Sequence, residues 1–198
     1  MTELDPNKRL RLSHTIIDTA FAKDHNDLEQ ISLWDVNFST DTLLHFTNIR
    51  SLHIYGCSIT SLHMLADLPH LYDLKIDQPR GLENIDFLNG VKSLRSVSLY
   101  GLRNLRTSPS LKSNHHLTTV ELGELPLVDG LCPYLDAPQL RQLRLHRRVN
   151  VLEGDIPLIN QHPKLASFSW DTYGRHDEYR NYVIKKAGKT NWHSTGSS

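Results

Sequence analysis

The residues of this chain that most readily suggest a chemical function are its twelve histidines and two cysteines, because imidazole and thiolate groups are common zinc ligands. The only adjacent histidine pair is His115 and His116, which precedes a predicted strand, and adjacent strand residues point to opposite faces. The sequence has no Cys-x-x-Cys pair and no His-x-x-x-His pair on a predicted helix. We therefore predict no metal site, and we expect Cys57 and Cys132 to stay reduced.

The sequence also lacks the residue spacing that nucleophilic catalysis requires. Serine, histidine and aspartate all occur, but the Gly-x-Ser-x-Gly elbow that exposes a catalytic serine is missing from the sequence. The sequence also lacks a glycine-rich loop of the kind that cradles a phosphate. We predict that the chain is not an enzyme and that it requires no cofactor.

A repeated apolar pattern runs along most of the chain and must position any functional side chain. The pattern is L-x-x-L-x-L, with Ile, Val, Phe or Trp allowed, and its copies begin at positions 28, 49, 71, 94, 117, 140 and 165. The intervals of 21 to 25 residues suit a solenoid of stacked supersecondary units. The second and third apolar positions alternate as they do in a strand that points them inward. These inward pairs are Ile31 and Leu33, Leu52 and Ile54, Leu74 and Ile76, Val97 and Leu99, Val120 and Leu122, Leu143 and Leu145, and Phe168 and Trp170.

Over residues 28–173 the chain resembles the leucine-rich-repeat family. The resemblance implies an α/β fold, a right-handed solenoid with one parallel sheet of about seven strands on its concave face. Short helices or loops would form the convex face. We predict a single domain over residues 1–198, with an N-terminal cap at 1–27, repeats at 28–173, and a C-terminal cap helix and tail at 174–198.

The segments between the predicted strands differ in their helix-forming potential. We expect short helices in the early repeats and looser or 3₁₀ segments in the later ones, because Pro109 and Pro138 disfavour helix there. Cys132 lies in one of these later segments, where we expect it to be a small buried hydrophobe. Residues 177–187 predict a helix with an acidic start and two closing lysines, and Gly188 follows it. Tyr179 and Val183 would share its packed face with Tyr182 and Lys186.

Side chains that alternate with the inward pairs point to solvent on the concave face. Trp34, Tyr55 and Tyr100 occupy the same outward position of three repeats, and aromatic residues are frequent in binding hot spots. An alternative is that these rings pack on one another within the sheet. Glu121 and Arg144 occupy equivalent positions of adjacent strands, so we predict an ion pair between them. The full set of predicted partner-binding residues is Trp34, Tyr55, Asp77, Tyr100, His53, Lys75, Glu121, Arg144, His146 and Arg147.

Charge is divided along this predicted face. The early strands carry Asp35, Asp73 and Asp77, and the sixth carries Arg144, His146, Arg147 and Arg148. Such a split would orient a partner that has complementary patches. A solvated surface without binding function is the alternative for any single charge.

Composition narrows the classes of partner. The net charge is zero, with 22 basic and 22 acidic residues, whereas nucleic-acid binding requires a basic excess. The sequence has no run of 18 apolar residues, so it predicts no membrane span. The charged N-terminus lacks an apolar core of signal-peptide type, which favours a cytoplasmic protein or one exported by a route that the sequence does not show. We predict a protein-binding module that is monomeric when free and acts by occupancy, most simply as a stoichiometric inhibitor such as an immunity protein that neutralises a bacterial toxin. The alternative is an adaptor or substrate-recognition subunit of a larger assembly.

Overall fold

The computed structural model describes residues 2–5, 8–171 and 177–189. For residues 2–5 it describes the backbone alone. The strands are β1 (Thr2–Asp5), β2 (Arg9–Ser13), β3 (Ile16–Ile17), β4 (Gln30–Trp34), β5 (Asn37–Phe38), β6 (Ser51–Tyr55), β7 (Asp73–Asp77), β8 (Ser96–Tyr100), β9 (Thr119–Leu125), β10 (Gln142–Val149) and β11 (Ser167–Asp171). Nine of them form one sheet in the order β1-β2-β4-β6-β7-β8-β9-β10-β11, and β3 pairs with β5 in a separate two-stranded sheet. Every pair of the large sheet is parallel except β1 with β2.

The apolar positions of the repeat form the core, as predicted. All three positions of all seven copies are buried, and the inward pairs of neighbouring strands stand opposite each other in the ladder. Leu52 pairs with Leu74 in register, and Leu74 pairs with Val97. A single repeat cannot cover this face, so successive repeats bury it against one another as a continuous core. The chain therefore has the architecture of a leucine-rich-repeat solenoid.

The large sheet contains eight parallel strands, one more than the predicted number of about seven. Leu10 and Leu12 of β2 pair in register with Ile31 and Leu33 of β4, and both leucines are buried. Strand β2 thus extends the same core toward the N-terminus. Strand β1 then turns back antiparallel along the edge of β2.

The segments that return between the strands reverse the predicted distribution of helix types. Four early segments, at Thr40–His45, His63–Asp67, Asp86–Asn89 and Leu111–Ser113, are 3₁₀ helices. The α-helices are α1 (Thr19–Asp24), α2 (Cys132–Leu135), α3 (Asp155–Gln161) and α4 (Glu178–Ala187).

Proline does not prevent the later helices, because it falls where a helix tolerates it. Pro133 and Pro157 occupy the first turns of α2 and α3, where the backbone N–H has no intrahelical partner. The prediction for Cys132 was also wrong, since this first residue of α2 is exposed rather than buried. Cys57 is buried, and its thiol lies 3.6 Å from the carbonyl oxygen of Leu33.

The turn that follows each strand is more regular than its side chains suggest. The residue after the fifth strand position has a positive φ in seven successive repeats, at His14, Asp35, Gly56, Gln78 and Gly101, and within the longer strands β9 and β10 at Glu124 and Arg147. In the early repeats its N–H donates to the carbonyl that ends the next strand, as from Asp35 to Tyr55 at 2.8 Å and from Gln78 to Tyr100 at 2.8 Å. The backbone ladder therefore continues beyond the strand through a left-handed residue.

Helix α4 covers the last repeat through a face that differs from the predicted one. Val183 and Ala187 are buried, and Asn160 of α3 donates to the carbonyl of Ala187 at 3.3 Å. Tyr179 and Tyr182 instead remain 39% and 46% exposed. Asp177 caps the start of the helix, and Gly188 adopts a φ of 61° at its end. Within the part of the chain that is described, no helix combines the length and apolar character needed to cross a bilayer.

The left-handed turn predicts a difference between two glycine substitutions. Gly56 has a φ of +63° with nothing within 4 Å of an added Cβ, so Gly56→Ala introduces backbone strain without a clash. We expect it to lower the free energy of unfolding by about 1 kcal/mol, because L-residues disfavour this conformation. Gly154 is equally open but has a φ of −65°, so Gly154→Ala should change stability by less than ~0.5 kcal/mol. Urea unfolding of both variants measures this difference, and equal losses would contradict it.

Candidate functional site

Outward side chains form columns across the concave face because the parallel strands pair residue for residue. The strand-end column contains Ser13, Trp34, Tyr55, Asp77, Tyr100, Gly123, His146 and Asp171. The central column contains Arg11, Ser32, His53, Lys75, Ser98, Glu121, Arg144 and Ser169. Nine of the ten predicted partner-binding residues fall in these two columns.

Aromatic rings pack at the N-terminal end of the strand-end column. The rings of Trp34 and Tyr55 stack with centroids 4.8 Å apart, and His53 meets Trp34 edge-on at 6.0 Å. The guanidinium carbon of Arg11 lies 4.2 Å from the Trp34 ring centroid, in a cation–π contact. The rings of Trp34 and Tyr55 therefore pack on one another, as the alternative interpretation predicts, and each remains partly accessible from the concave face.

Tyr100 lies farther along the same column and is held in a different way. A Cβ atom at Gly123 would lie 2.3 Å from a carbon of the Tyr100 ring, so the ring lies directly over this glycine. A glycine within a strand commonly marks such a close approach. Tyr100 therefore extends across the neighbouring strand β9 instead of standing upright between its neighbours.

Three polar atoms of the strand-end column are buried without a hydrogen-bond partner among the described residues. They are Nε1 of Trp34, Oδ1 of Asp77 and Nδ1 of His146. Burial raises the pKa of the Asp77 carboxyl, since it disfavours the charged form. Buried polar groups in folded proteins are nearly always paired, so three such groups in one column require a physical explanation.

The central column is more polar and contains the predicted ion pair. Nη1 of Arg144 donates to Oε1 of Glu121 at 2.5 Å, and Nη2 donates to Gln142 at 3.2 Å. The prediction of this pair is confirmed. On the earlier strands, burial lowers the pKa of His53, and the neighbouring charge of Lys75 lowers it further.

A polar depression of about 480 Å³ adjoins the central column on the side where the strands begin. His53, Lys75 and Asp73 line it, and Tyr72 and Arg95 stand at its rim, where the guanidinium lies 5.8 Å from the ring centroid. The carboxylate of Asp73 accepts from Ser51 at 2.8 Å. The concave face thus combines an aromatic half with a hydroxyl-rich, charged half.

Most charges of the predicted split are paired within the chain. Asp35 accepts from Arg80, and this hydrogen bond is the main reason that the pKa of its carboxyl is lowered. Arg148 bonds Glu124 at 3.0 Å, and Arg147 lies 3.9 Å from the same carboxylate. Arg147 also has a left-handed φ of 56° within β10, outside both columns. The structure thus places this predicted site residue at the rim of the face.

Sequence reasoning missed Arg11, Tyr72 and Arg95. Arg11 is identifiable in retrospect, because Leu10 and Leu12 precede Ile31 and Leu33 by one repeat length and place Arg11 between them. Tyr72 and Arg95 occupy the position just before the strand, which the inward–outward alternation does not include. Within residues 8–171 and 177–189, no group of three or more His, Cys, Asp or Glu side chains could hold a metal ion.

The repeat geometry defines the class of this chain as a leucine-rich-repeat solenoid. Among solved structures it is similar to internalin C2 from Listeria monocytogenes, at 17% identity over 86% of this chain and 84% of that chain, with a TM-score of 0.48. It is also similar to internalin F from the same organism, at 14% identity over 89% and 70%, with a TM-score of 0.36. No protein-family model matches the chain, and no curated protein matches it significantly. The fold assignment rests on the chain's own repeats.

Because Glu121 and Arg144 form an ion pair in the central column, substitutions of the two residues should have non-additive effects on the free energy of unfolding. In a double-mutant cycle with Glu121→Gln and Arg144→Gln, we expect a coupling of about 0.5–1 kcal/mol that decreases in 1 M salt. Both side chains are only 21–25% exposed, so solvent screening is partial. The more exposed Asp35–Arg80 pair is the matched control and should couple more weakly. Chemical denaturation measures both cycles, and a coupling near zero at Glu121–Arg144 would contradict the expectation.

His53 should make the stability of the fold sensitive to acid. Its pKa is lowered in the folded chain, so the unfolded chain takes up the proton first as the pH falls below about 6.5. The contribution of neutral His53 is therefore complete above this pH and is lost as the pH falls through the folded pKa. We expect His53→Gln to lose less stability than the wild type between pH 7 and pH 5, as measured by urea unfolding. Parallel profiles would show that His53 does not contribute.

Proposed function

We propose that this chain is a protein-binding module that holds its partner against the concave face. The observation that carries the proposal is the cluster of Arg11, Trp34 and Tyr55 on the concave face, where the two rings stack and remain partly accessible. Ordered, accessible side chains of these types are typical of binding hot spots.

The dimensions and composition of the face support a protein as the partner. Eight parallel strands at about 4.8 Å spacing extend over roughly 34 Å, which suits a standard interface of about 800 Å² per partner. Trp, Tyr and Arg dominate binding hot spots, and Arg11, Trp34 and Tyr55 lie in mutual contact here. Their rings are already ordered by stacking, so binding costs little further side-chain entropy.

We further propose that the module acts by occupancy, without catalysis, as a stoichiometric inhibitor. An immunity protein that neutralises a bacterial toxin is the concrete form that we favour, acting in the cytoplasm and monomeric when free. A rigid, mixed-charge face supports this role, because preorganisation and charge complementarity give tight and selective one-to-one capture. The neutral net charge argues against nucleic acid as the partner.

An adaptor role is the second candidate, and the exposed surface of α4 favours it. Tyr179 and Tyr182 stack on each other with centroids 6.3 Å apart and remain exposed outside the concave face. An adaptor needs such a second surface, whereas an inhibitor does not. Deleting α4 would expose core around Val183, so a point substitution at Tyr182 separates the two roles better.

Affinity purification from the native organism tests the proposal, with the wild-type chain and a Trp34→Ala/Tyr55→Ala chain as parallel baits. We expect a protein that the wild type retains and the double variant loses. This protein, once purified, should bind in a 1:1 ratio and lose its own activity in the complex. Equal retention by both baits, or an unaffected activity in the complex, would contradict inhibition through the concave face.

Single substitutions then locate the interface. Trp34→Ala, Tyr55→Ala and Tyr100→Ala should each weaken the isolated partner's affinity by about 1 kcal/mol or more, because each removes a partly buried aromatic anchor. Titration calorimetry measures the affinity, and circular dichroism checks that the variants stay folded. Tyr182→Ala removes an exposed ring elsewhere and is the control. Unchanged affinity in all three concave variants would place the interface on another surface.

A further inference from the structure

The polar depression of the concave face is a groove that crosses five strands at their first residues. Each strand contributes one side chain to its floor, and the parallel register places these side by side: Gln30, Ser51, Asp73, Ser96 and Thr119. At about 4.8 Å per strand the floor is roughly 19 Å long, the length of about six residues of extended chain. The depression is therefore long enough for a peptide segment.

Two cations flank this floor. Lys75 lies in the central column on one side, and Arg95 precedes β8 on the other, and both side chains are exposed. Neither forms an ion pair with a described residue, although the guanidinium of Arg95 lies 5.8 Å from the ring centroid of Tyr72. The one carboxylate among the described lining residues belongs to Asp73, which accepts from Ser51 at 2.8 Å. Two positive charges and one negative charge leave the depression with a net positive charge.

The side chain of His53 lines the same depression and senses its charges. Burial is the main reason that its pKa is lowered, and the positive charge of Lys75 is the second. The negative charge of Asp73 raises this pKa by less than Lys75 lowers it, and Arg11 lowers it slightly further. The local field at His53 is therefore positive, which favours an anion as the ligand of the depression.

We propose that the polar depression receives an extended acidic segment of the partner protein, whose carboxylates pair with Lys75 and Arg95, an inference that rests on the proposed binding function of the concave face. Charge-assisted hydrogen bonds of this kind are stronger than neutral ones. The hydroxyls of Ser96 and Thr119 are half-buried and donate to no described residue, so they are available as further donors.

The position of the depression supports a protein as the source of these carboxylates. His53 lines the depression and also meets the Trp34 ring edge-on at 6.0 Å, so the depression adjoins the stacked rings of Trp34 and Tyr55. One partner can therefore cover the rings and place an acidic segment beside them. A small molecule is a poorer candidate, because small-molecule sites are mostly apolar and the lining here is polar apart from the Tyr72 ring.

A peptide titration tests this inference without the partner. The probe is N-acetyl-triglutamate amide, added to the full-length ¹⁵N-labelled chain at pH 7 and low ionic strength, with N-acetyl-triglutamine amide as the uncharged comparison. We expect millimolar binding of the glutamate probe alone, with shift changes concentrated at the amides of Asp73, Lys75 and Ser96. Lys75→Gln and Arg95→Gln should each raise the dissociation constant by about threefold or more.

The matched control is Lys112→Gln, which removes a positive charge from an exposed side chain of the return segment Leu111–Ser113. It should leave the dissociation constant unchanged. The inference is overturned if the wild-type chain shows no localised shift changes, if the glutamine probe binds equally well, or if Lys112→Gln weakens binding as much as Lys75→Gln. Equal affinity for inorganic phosphate would also overturn it, since the depression would then hold a small ion and not an acidic segment.

The pKa of His53 gives a second readout that reports on the depression itself. A bound carboxylate offsets the charge of Lys75, so the glutamate probe should raise this pKa, as followed by the proton resonances of the imidazole ring against pH. The glutamine probe should leave it unchanged. An unchanged His53 pKa in the presence of saturating glutamate probe would place the probe elsewhere and contradict the inference. None of these measurements involves the whole partner, so the inference and the proposed function can fail independently.

Discussion

The one-to-one parallel register of the large sheet is the constraint on which the rest of the molecule depends. From β2 to β11 the inward apolar pairs face one another, and a shift of one residue would turn each pair to solvent. The same register aligns residues of equal repeat position on the outward side. Trp34 and Tyr55 stack because of this alignment, and Tyr100 reaches Gly123 for the same reason. The packing of the core therefore determines which side chains meet on the concave face.

Features that follow from this register could be predicted from the sequence. The buried positions and the Glu121–Arg144 pair are direct consequences of repeat phase. Strand β2 was predicted only as a strand or short helix of the N-terminal cap and not as a repeat, because Asn7 stands where the pattern requires its first apolar residue, although Leu10 and Leu12 keep the other two. The type of return helix was also missed, since it depends on the packing of neighbouring repeats more than on local propensity. Pro157 illustrates this point, because its position within the first turn of α3 makes it harmless.

The left-handed residues that follow the strand-end column explain why the charged residues were harder to place. Asp35, Glu124 and Arg147 have positive φ values, which direct them away from the columns that the strands define. The register also shifts between His146 and Val149 where β10 meets β9, and this places Arg148 beside Glu124. Alternation along a strand carries no information about either effect. The predicted division of charge therefore included Asp35, Arg147 and Arg148, which the fold brings into ion pairs with other residues of the chain.

The unpartnered polar atoms of the concave face differ in kind from the one on the convex side. On the convex side, buried Asn114 lacks a partner for its Oδ1, yet its Nδ2 donates to the carbonyls of Leu88 and Val91. A carbonyl-type acceptor without a bond is a smaller cost than an unpaired donor or carboxylate. The strand-end column instead leaves an indole N–H and a carboxylate oxygen unpaired above a core whose aliphatic positions are all buried. Local rules of folding are most often broken at functional sites, which makes the strand-end column, rather than the convex side, the first surface to test for function.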